Sequence, residues 1–390
     1  MRKWVAIGLS LLLLLLWPVS VKGEEEPLET GESSQTALDP QQLDFGAVDQ
    51  ILEEAGQTDV LKQQTESQTV GKLLERVMTG EVTASVGDWI AAFGESLWGN
   101  MREYLGLMLQ VIGLTLLSQL FTSLDLRSGE GSAAGIGFLC VYGVLALALV
   151  QSFQIAYEEA NQTVDHIKQL SLYMMPAMAA VAAAGGCTMS SALQSGAMTT
   201  GLSLILSIMK NVMMVGVLWI TILEVVNCIS KKAMLSQMIS LMRSILEKGI
   251  KAVSGLYLLL MGIFGLVTPA ADRVVYKASS SILSAVPVVG SALSGAMDAV
   301  LTGSVMIKNG IGAAACIVLL CLCMVPVAKL TAMWLSYRLL AAFLLPVADQ
   351  RVIHLLASLG RSVAMLLGAL VSSVIIFTGA VGIFAVLTGK

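Results

Sequence analysis

"GIGAAACIVLLCLCMVPVA", residues 310–328, runs from Gly310 to Ala328 without one charged side chain and ends against Lys329. A helix needs about 20 apolar residues to cross the ~30 Å of hydrocarbon in a bilayer. This stretch has that length, and it reads as a membrane span. The rest of the chain carries the same signature. Of its 390 residues 56% are hydrophobic and 13% charged, with a mean hydropathy of +0.80. A water-soluble domain could not bury so much apolar surface, so the class is an all-α polytopic integral membrane protein. About seven spans are expected, near residues 105–124, 134–155, 211–229, 252–271, 310–328, 331–348 and 362–387. Arg338 falls in the middle of the sixth.

The net charge of −4 hides an asymmetry. Residues 24–100 hold sixteen Asp/Glu against three Lys/Arg, and residues 101–390 hold eleven against seventeen. The acidic part and the apolar part are different bodies. Arg2 and Lys3 precede a leucine-rich run, and Val21-Lys22-Gly23 precedes three glutamates. That is the pattern of a signal peptide, residues 1–23, which would leave residues 24–100 as an acidic extracytoplasmic segment. Within it, apolar residues at 43–55 and 60–78 recur every three or four positions and predict short amphipathic helices. Trp89 and Trp98 suit the headgroup level before the first span, and equally a packed helical core.

The polytopic domain, 101–390, contains two irregular segments, 171–208 and 278–308. The first holds Pro176, Gly185-Gly186, Gly196 and Gly201, and the second Pro287, Gly290, Gly295 and Gly303. Both read as broken or re-entrant helices, which survive at membrane depth only where protein or water covers their backbone. They also resemble one another. Ser191-Ala-Leu-Gln-Ser-Gly-Ala-Met198 matches Ser291-Ala-Leu-Ser-Gly-Ala-Met297 with one gap, and a Lys-Asn pair follows each, Lys210-Asn211 and Lys308-Asn309. Paired broken segments build central sites in many transporters. Small residues that permit close helix packing are the plainer reading.

Between them, residues 231–251 predict an amphipathic helix with Met234, Leu235, Met238, Ile239 and Met242 on one face. Its other face carries Lys231, Lys232, Arg243, Lys248 and Lys251, suited to an anionic cytoplasmic leaflet or a partner protein. With those cations inside, the loop at 156–170 with Glu158, Glu159 and Asp165 falls outside, and Lys329 and Lys390 fall inside. Ionisable groups at membrane depth are functional candidates by default. Here they are Glu224, Asp272, Lys277, Asp298, Lys308 and Arg338. Asp298 is framed by small residues and could pair with Lys308 or Lys277, with Pro287 and Gly290 shaping the segment; a helix cap at the outer interface is the plain alternative.

Reaction chemistry is not evident. His166 and His354 stand in no metal spacing, no phosphate-binding glycine loop or G-x-S-x-G occurs, and the six cysteines lie in or beside apolar runs. No cofactor, metal or catalytic set is expected. The basic residues lack aromatic interleaving, so nucleic acid is not an expected partner.

The order of these features resembles the stage III sporulation protein AE family of endospore-forming bacteria. The most specific stretch is "TPAADRVVYKASSSILSAVPVVGSALSGAMDAVLTGSVMIKNGIG", residues 268–312, with Asp272, Lys277, Pro287-Val288-Val289-Gly290, Asp298 and Lys308-Asn309. The resemblance covers residue 85 to the C-terminus. It implies a non-enzymatic, permease-like component of a secretion-like channel between mother cell and forespore, in the mother-cell membrane around the forespore, needed for late forespore gene expression. It implies as partners the other stage III sporulation A proteins and, across the intermembrane space, stage II sporulation protein Q, besides the lipid bilayer; a homo-oligomer is compatible with it. Two other readings stay open on the residues alone: a self-contained secondary transporter using Asp298, and a non-conducting membrane scaffold.

Overall fold

The computed structural model describes residues 45–387 apart from 66, 68, 80–85, 129–132, 185–187, 230–234 and 285–289, with the backbone alone described along 264–284 and 290–306. The described elements are helical throughout. Three short helices come first: α1 (Gly46–Glu54), α2 (Thr58–Thr65) and α3 (Val70–Thr79). Long helices follow: α4 (Val86–Ser128), α5 (Ala133–Ala184), α6 (Thr188–Ile208), α7 (Val215–Ile229), α8 (Ser236–Ser284), α9 (Gly290–Leu344) and α10 (Gln350–Leu387). A π-turn, Met209–Met214, joins α6 to α7 without interrupting the rod.

The all-α membrane class holds, and the element boundaries differ from those expected. Five described helical stretches are long and apolar enough to cross a membrane: Gly87–Phe121, Ile136–Ala183, Gly196–Cys228, Asn309–Leu344 and Gln350–Phe384. The stretches expected as separate spans at 310–328 and 331–348 are one helix, because Lys329 does not mark a loop: it pairs with Glu159 of α5. Residues 156–170, expected as an outer loop, lie inside α5, where Glu159 and Asp165 likewise find partners on neighbouring helices. Pro176 and Pro326 are accommodated inside α5 and α9. From Ser236 on, the basic stretch and the span expected at 252–271 form a single helix, α8.

Of the two irregular segments, 171–184 continues α5, 188–208 is α6, 278–284 ends α8 and 290–308 opens α9, while 185–187 and 285–289 lie outside the described residues. Both small-residue phrases open a helix. The first runs into the π-turn at Lys210-Asn211, the second into unbroken α-helix at Lys308-Asn309.

The core is the seam between α5, α9 and α10, where Leu149, Val164, Met178, Leu322, Leu355 and Phe377 are buried. Helix α4 packs on α5 and α9, while α6, α7 and α8 close the other side against α10. Glycines set close approach at two crossings. A Cβ at Gly216 would meet Leu246 Cδ2 at 2.7 Å, and one at Gly310 would meet Met78 Cγ at 2.8 Å. Since Met78 belongs to α3, the acidic N-terminal segment is not detached from the membrane domain. Helix α3 lies on α9 and α1 on α5, burying Val48, Leu52, Val70, Leu73 and Leu74. Helix α10 begins beside Cys228, and its far end packs near Leu258 and Gly312. Lys390, expected on the same side as Lys231 and Lys232, lies with them outside the described residues.

Candidate functional site

Two sets of charges lie within the long helices. The drier one joins α7, α8 and α10. Glu224 sits in an apolar run, "VGVLWITILEVVNCI", that offers no local partner, so the carboxylate must be met from other helices. Arg243 Nη2 of α8 donates to Glu224 Oε1 at 2.5 Å, and Arg361 Nη2 of α10 stands 3.8 Å from the same oxygen. Glu224 is 5% exposed, Arg243 12% and Arg361 34%. Glu224 Oε2 and Arg243 Nη1 are buried without a hydrogen-bond partner. Two arginines meet this one carboxylate, and Glu247 of α8 is a second acid near Arg243. One turn along α7, Cys228 Sγ lies 3.3 Å from His354 Nδ1 of α10. On the same turn of α7, Asn227 Oδ1 accepts the N–H of Leu235 at 3.2 Å.

The second set is a belt midway along α5. Glu159 Oε2 accepts from Lys329 Nζ of α9 at 2.8 Å. Asp165 pairs with Lys210 of the π-turn, and Lys168 Nζ donates to Ser207 Oγ of α6 at 2.9 Å. A π-turn widens the helix and turns a side chain off its regular face. Here that side chain is Lys210, aimed at Asp165. His166 stands beside Asp165, with Glu159 and Glu54 of α1 as its nearest acids. Unlike the Glu224 junction, the belt is wet: its paired side chains are 24–35% exposed.

The residues expected to carry function divide accordingly. Glu224 is confirmed as a buried charge, with Arg243 as its partner. Arg243 was expected on a free basic face of a surface helix. The structure corrects this: the arginine turns inward because an unpaired Glu224 would be costly to bury. Lys248 is exposed on α8, and Lys251 has an interaction of its own. Arg338 stacks on Trp334, its guanidinium carbon 5.1 Å from the ring centroid. Lys231, Lys232 and Pro287 lie outside the described residues. Asp272 and Lys277 are positions on α8, and Gly290, Asp298 and Lys308 on α9, with their side chains likewise outside the described set. The belt partners Glu159, Asp165, Lys210 and Lys329 were each visible as charges beside apolar runs, but nothing in the sequence paired positions 170 residues apart. Among the described residues no group of three His, Cys, Asp or Glu could hold a metal ion.

Long apolar helices, with charges met between helices, define an all-helical multi-pass membrane protein. Within that class the chain belongs to the stage III sporulation protein AE family, whose model matches residues 68–388. It is similar to stage III sporulation protein AE of Bacillus subtilis (strain 168), 23% identical over 306 residues that cover 77% of this chain and 75% of that protein. No solved structure matches it. The chain is thus a sporulation-related membrane protein, and its family name specifies no reaction.

Proposed function

We propose that this protein is the permease-like membrane component of a secretion-like channel linking mother cell and forespore, embedded in the mother-cell membrane around the forespore. The family match over 68–388 carries the reading. The interior supports it, since charges held between helices suit a body that lines or braces a polar path. In this reading residues 1–23 are a cleaved signal peptide and residues 24–100 face the space between the two membranes. The charged outer faces of α1–α3, with Glu53, Asp59, Lys72 and Glu75 exposed, are then available to the other stage III sporulation A proteins and to stage II sporulation protein Q. The 230–234 connection with Lys231 and Lys232 faces the mother-cell cytoplasm.

The test is deletion of the gene in its host, with a late forespore-specific reporter followed after engulfment. Loss of the late signal, with engulfment and early forespore expression intact, is expected. Normal late expression and normal spores would overturn the proposal. Asp298→Asn in the same assay, at equal protein level, separates a coupling carboxylate, which fails, from a scaffold, which tolerates the near-isosteric change.

A further inference from the structure

Helices α4, α5, α8, α9 and α10, of 38 to 55 residues, all exceed one bilayer. At 1.5 Å per residue, α5 alone is about 78 Å long, against ~30 Å of hydrocarbon. A planar bilayer can therefore contain only part of the bundle. The belt of Glu159–Lys329, Asp165–Lys210 and Lys168–Ser207 divides α5 into two apolar halves, 136–157 and 170–184. Glu159, Asp165, Lys168, Lys210 and Lys329 gather at this one level, and so many charged groups together favour headgroups or water over acyl chains.

The two halves are not equivalent. Beyond the belt, toward Met178 and Gly310, α5 and α9 carry α1–α3 on their surface. Those short helices bury their apolar faces inward and turn Glu53, Glu54, Asp59, Lys62, Lys72 and Glu75 outward. A charged outer face of that kind requires water. On the other side of the belt the exposed faces are largely apolar, with Gln110, Gln151 and Gln154 among them; the half beyond the belt also exposes Leu256, Leu259, Leu260 and Ile263 of α8, so it is the charged coat of α1–α3 that sets the two halves apart. Leu105, Leu109, Leu116 and Leu120 on α4, and Ile136 and Leu147 on α5, are 50–68% exposed apart from Leu116 at 48%. From Leu105 to Leu120 the rise is about 23 Å, and from Ile136 to Ile155 about 29 Å. Trp219, Ile222 and Val226 continue this surface on α7.

The rim fits as well. Trp98 and Arg102 sit together at the belt end of α4, the guanidinium carbon 5.7 Å from the ring centroid, as an interfacial aromatic and a cation do. Arg338 is exposed on this half. Side chains lean toward the helix N-terminus, and its guanidinium lies over Trp334, one turn nearer the belt. That is the direction a lysine or arginine snorkels.

We propose that the acyl chains of the bilayer contact only the half of the bundle between the belt and the 345–349 turn. The half bearing α1–α3 stands in the aqueous phase as a helical stalk. The position of the slab follows from the belt and the short helices; that the stalk points away from the cytoplasm rests on the signal-peptide reading above.

The test is site-directed spin labelling of the full chain in liposomes of phosphatidylethanolamine and phosphatidylglycerol. Single cysteines replace Leu109, Leu147, Leu172, Leu204 and Glu75 in a background with the native cysteines changed to alanine. Leu109 and Leu147 are expected to collide with dissolved oxygen and to be shielded from a water-soluble nickel chelate. Leu172, Leu204 and Glu75 are expected to show the reverse. Leu204 is decisive, being apolar and exposed yet on the stalk. Oxygen contact at Leu172 or Leu204 as strong as at Leu147, or nickel contact at Leu147, would overturn the proposal. If removing the cysteines unfolds the chain, brominated lipids decide it by fluorescence of the otherwise unaltered protein. The difference between the chain and Trp219→Phe should show Trp219 quenched strongly by bromines on the acyl chains; an unquenched Trp219 overturns the proposal. Both readouts are independent of sporulation, so a failure of the channel reading leaves them unaffected.

Discussion

The Glu224 junction and the Glu159–Asp165 belt use the same chemistry, acid against base between helices, in two different surroundings. At the junction Glu224 and Arg243 are shut away from water while Arg361 keeps solvent contact, one carboxylate serves two arginines, and atoms of Glu224 and Arg243 go unmatched. At the belt each acid has its own lysine and every partner keeps solvent contact. The physical consequence is asymmetric. Removing one member of a buried pair strands a charge in a low dielectric, whereas an exposed pair hands its charges back to water.

The comparison predicts a ranking. Glu224→Gln, which strands Arg243 and Arg361, is expected to cost about 3–5 kcal/mol, seen as a large fall in the thermal midpoint of the purified protein. Replacing Glu224 and Arg243 together by leucine and methionine should recover part of that loss, because the two driest charges go together while Arg361, 34% exposed, is left to solvent. If the double replacement is as unstable as Glu224→Gln, the junction does not act as a dry pair. Glu159→Gln or Lys329→Met should cost no more than about 1 kcal/mol, and less in high salt. A loss there equal to that at Glu224 would erase the distinction between wet and dry.

Packing next to the junction gives an intermediate effect. A Cβ at Gly216 meets two methyl carbons of Leu246 within 2.8 Å. Gly216→Val forces that leucine aside and moves α7 from α8, at about 1–3 kcal/mol. Gly143→Ala, where the space around the glycine is open, serves as the control and should be within about 0.5 kcal/mol of wild type. Equal effects at the two glycines, read as thermal midpoints, would show that α7 and α8 are not in close contact.

The sequence made one half of this comparison legible. Composition and apolar runs gave the membrane class, and the family resemblance gave the chain's kind. Glu224 was recognisable as a charge out of place. Its partner was not, because Arg243 fits equally well on the polar face of an amphipathic helix, and only the α7–α8 crossing at Gly216 and Leu246 turns it inward. The belt was misread as a loop for a related reason. Glu158, Glu159 and Asp165 look like a water-exposed turn when helices are assumed to be one bilayer long. A helix of 52 residues can carry such a stretch in its middle if lysines arrive from α9 and the π-turn. The same assumption split α9 at Lys329. Local patterning specifies which residues are apolar; the pairing of distant charges decides where helices end.

A third acid extends the comparison to the short helices. Asp49 of α1 is partly buried, and its Oδ1 accepts the N–H of Val70 at 2.8 Å, capping the first turn of α3 from another helix. Burial pushes its carboxyl above the usual carboxylate range, and the Val70 N–H offsets only part of that push. A raised pKa means that the folded state holds the proton more tightly than the unfolded chain. The contribution of Asp49 is then greatest below its unfolded pKa and declines as pH rises through the folded value, opposite to a salt-bridged carboxylate. Amide-exchange protection of α1 and α3, corrected for intrinsic rates, should therefore fall on going from mildly acid to neutral pH. Asp49→Asn keeps an acceptor for Val70 and should flatten that dependence, while Asp49→Ala loses the cap, at about 1 kcal/mol, at every pH. Protection that grows with pH in the wild type, and stops growing in Asp49→Asn, would mean the carboxylate is held by charge. Asp49 would then belong with the wet pairs of the belt, although its one mapped bond is to a backbone amide.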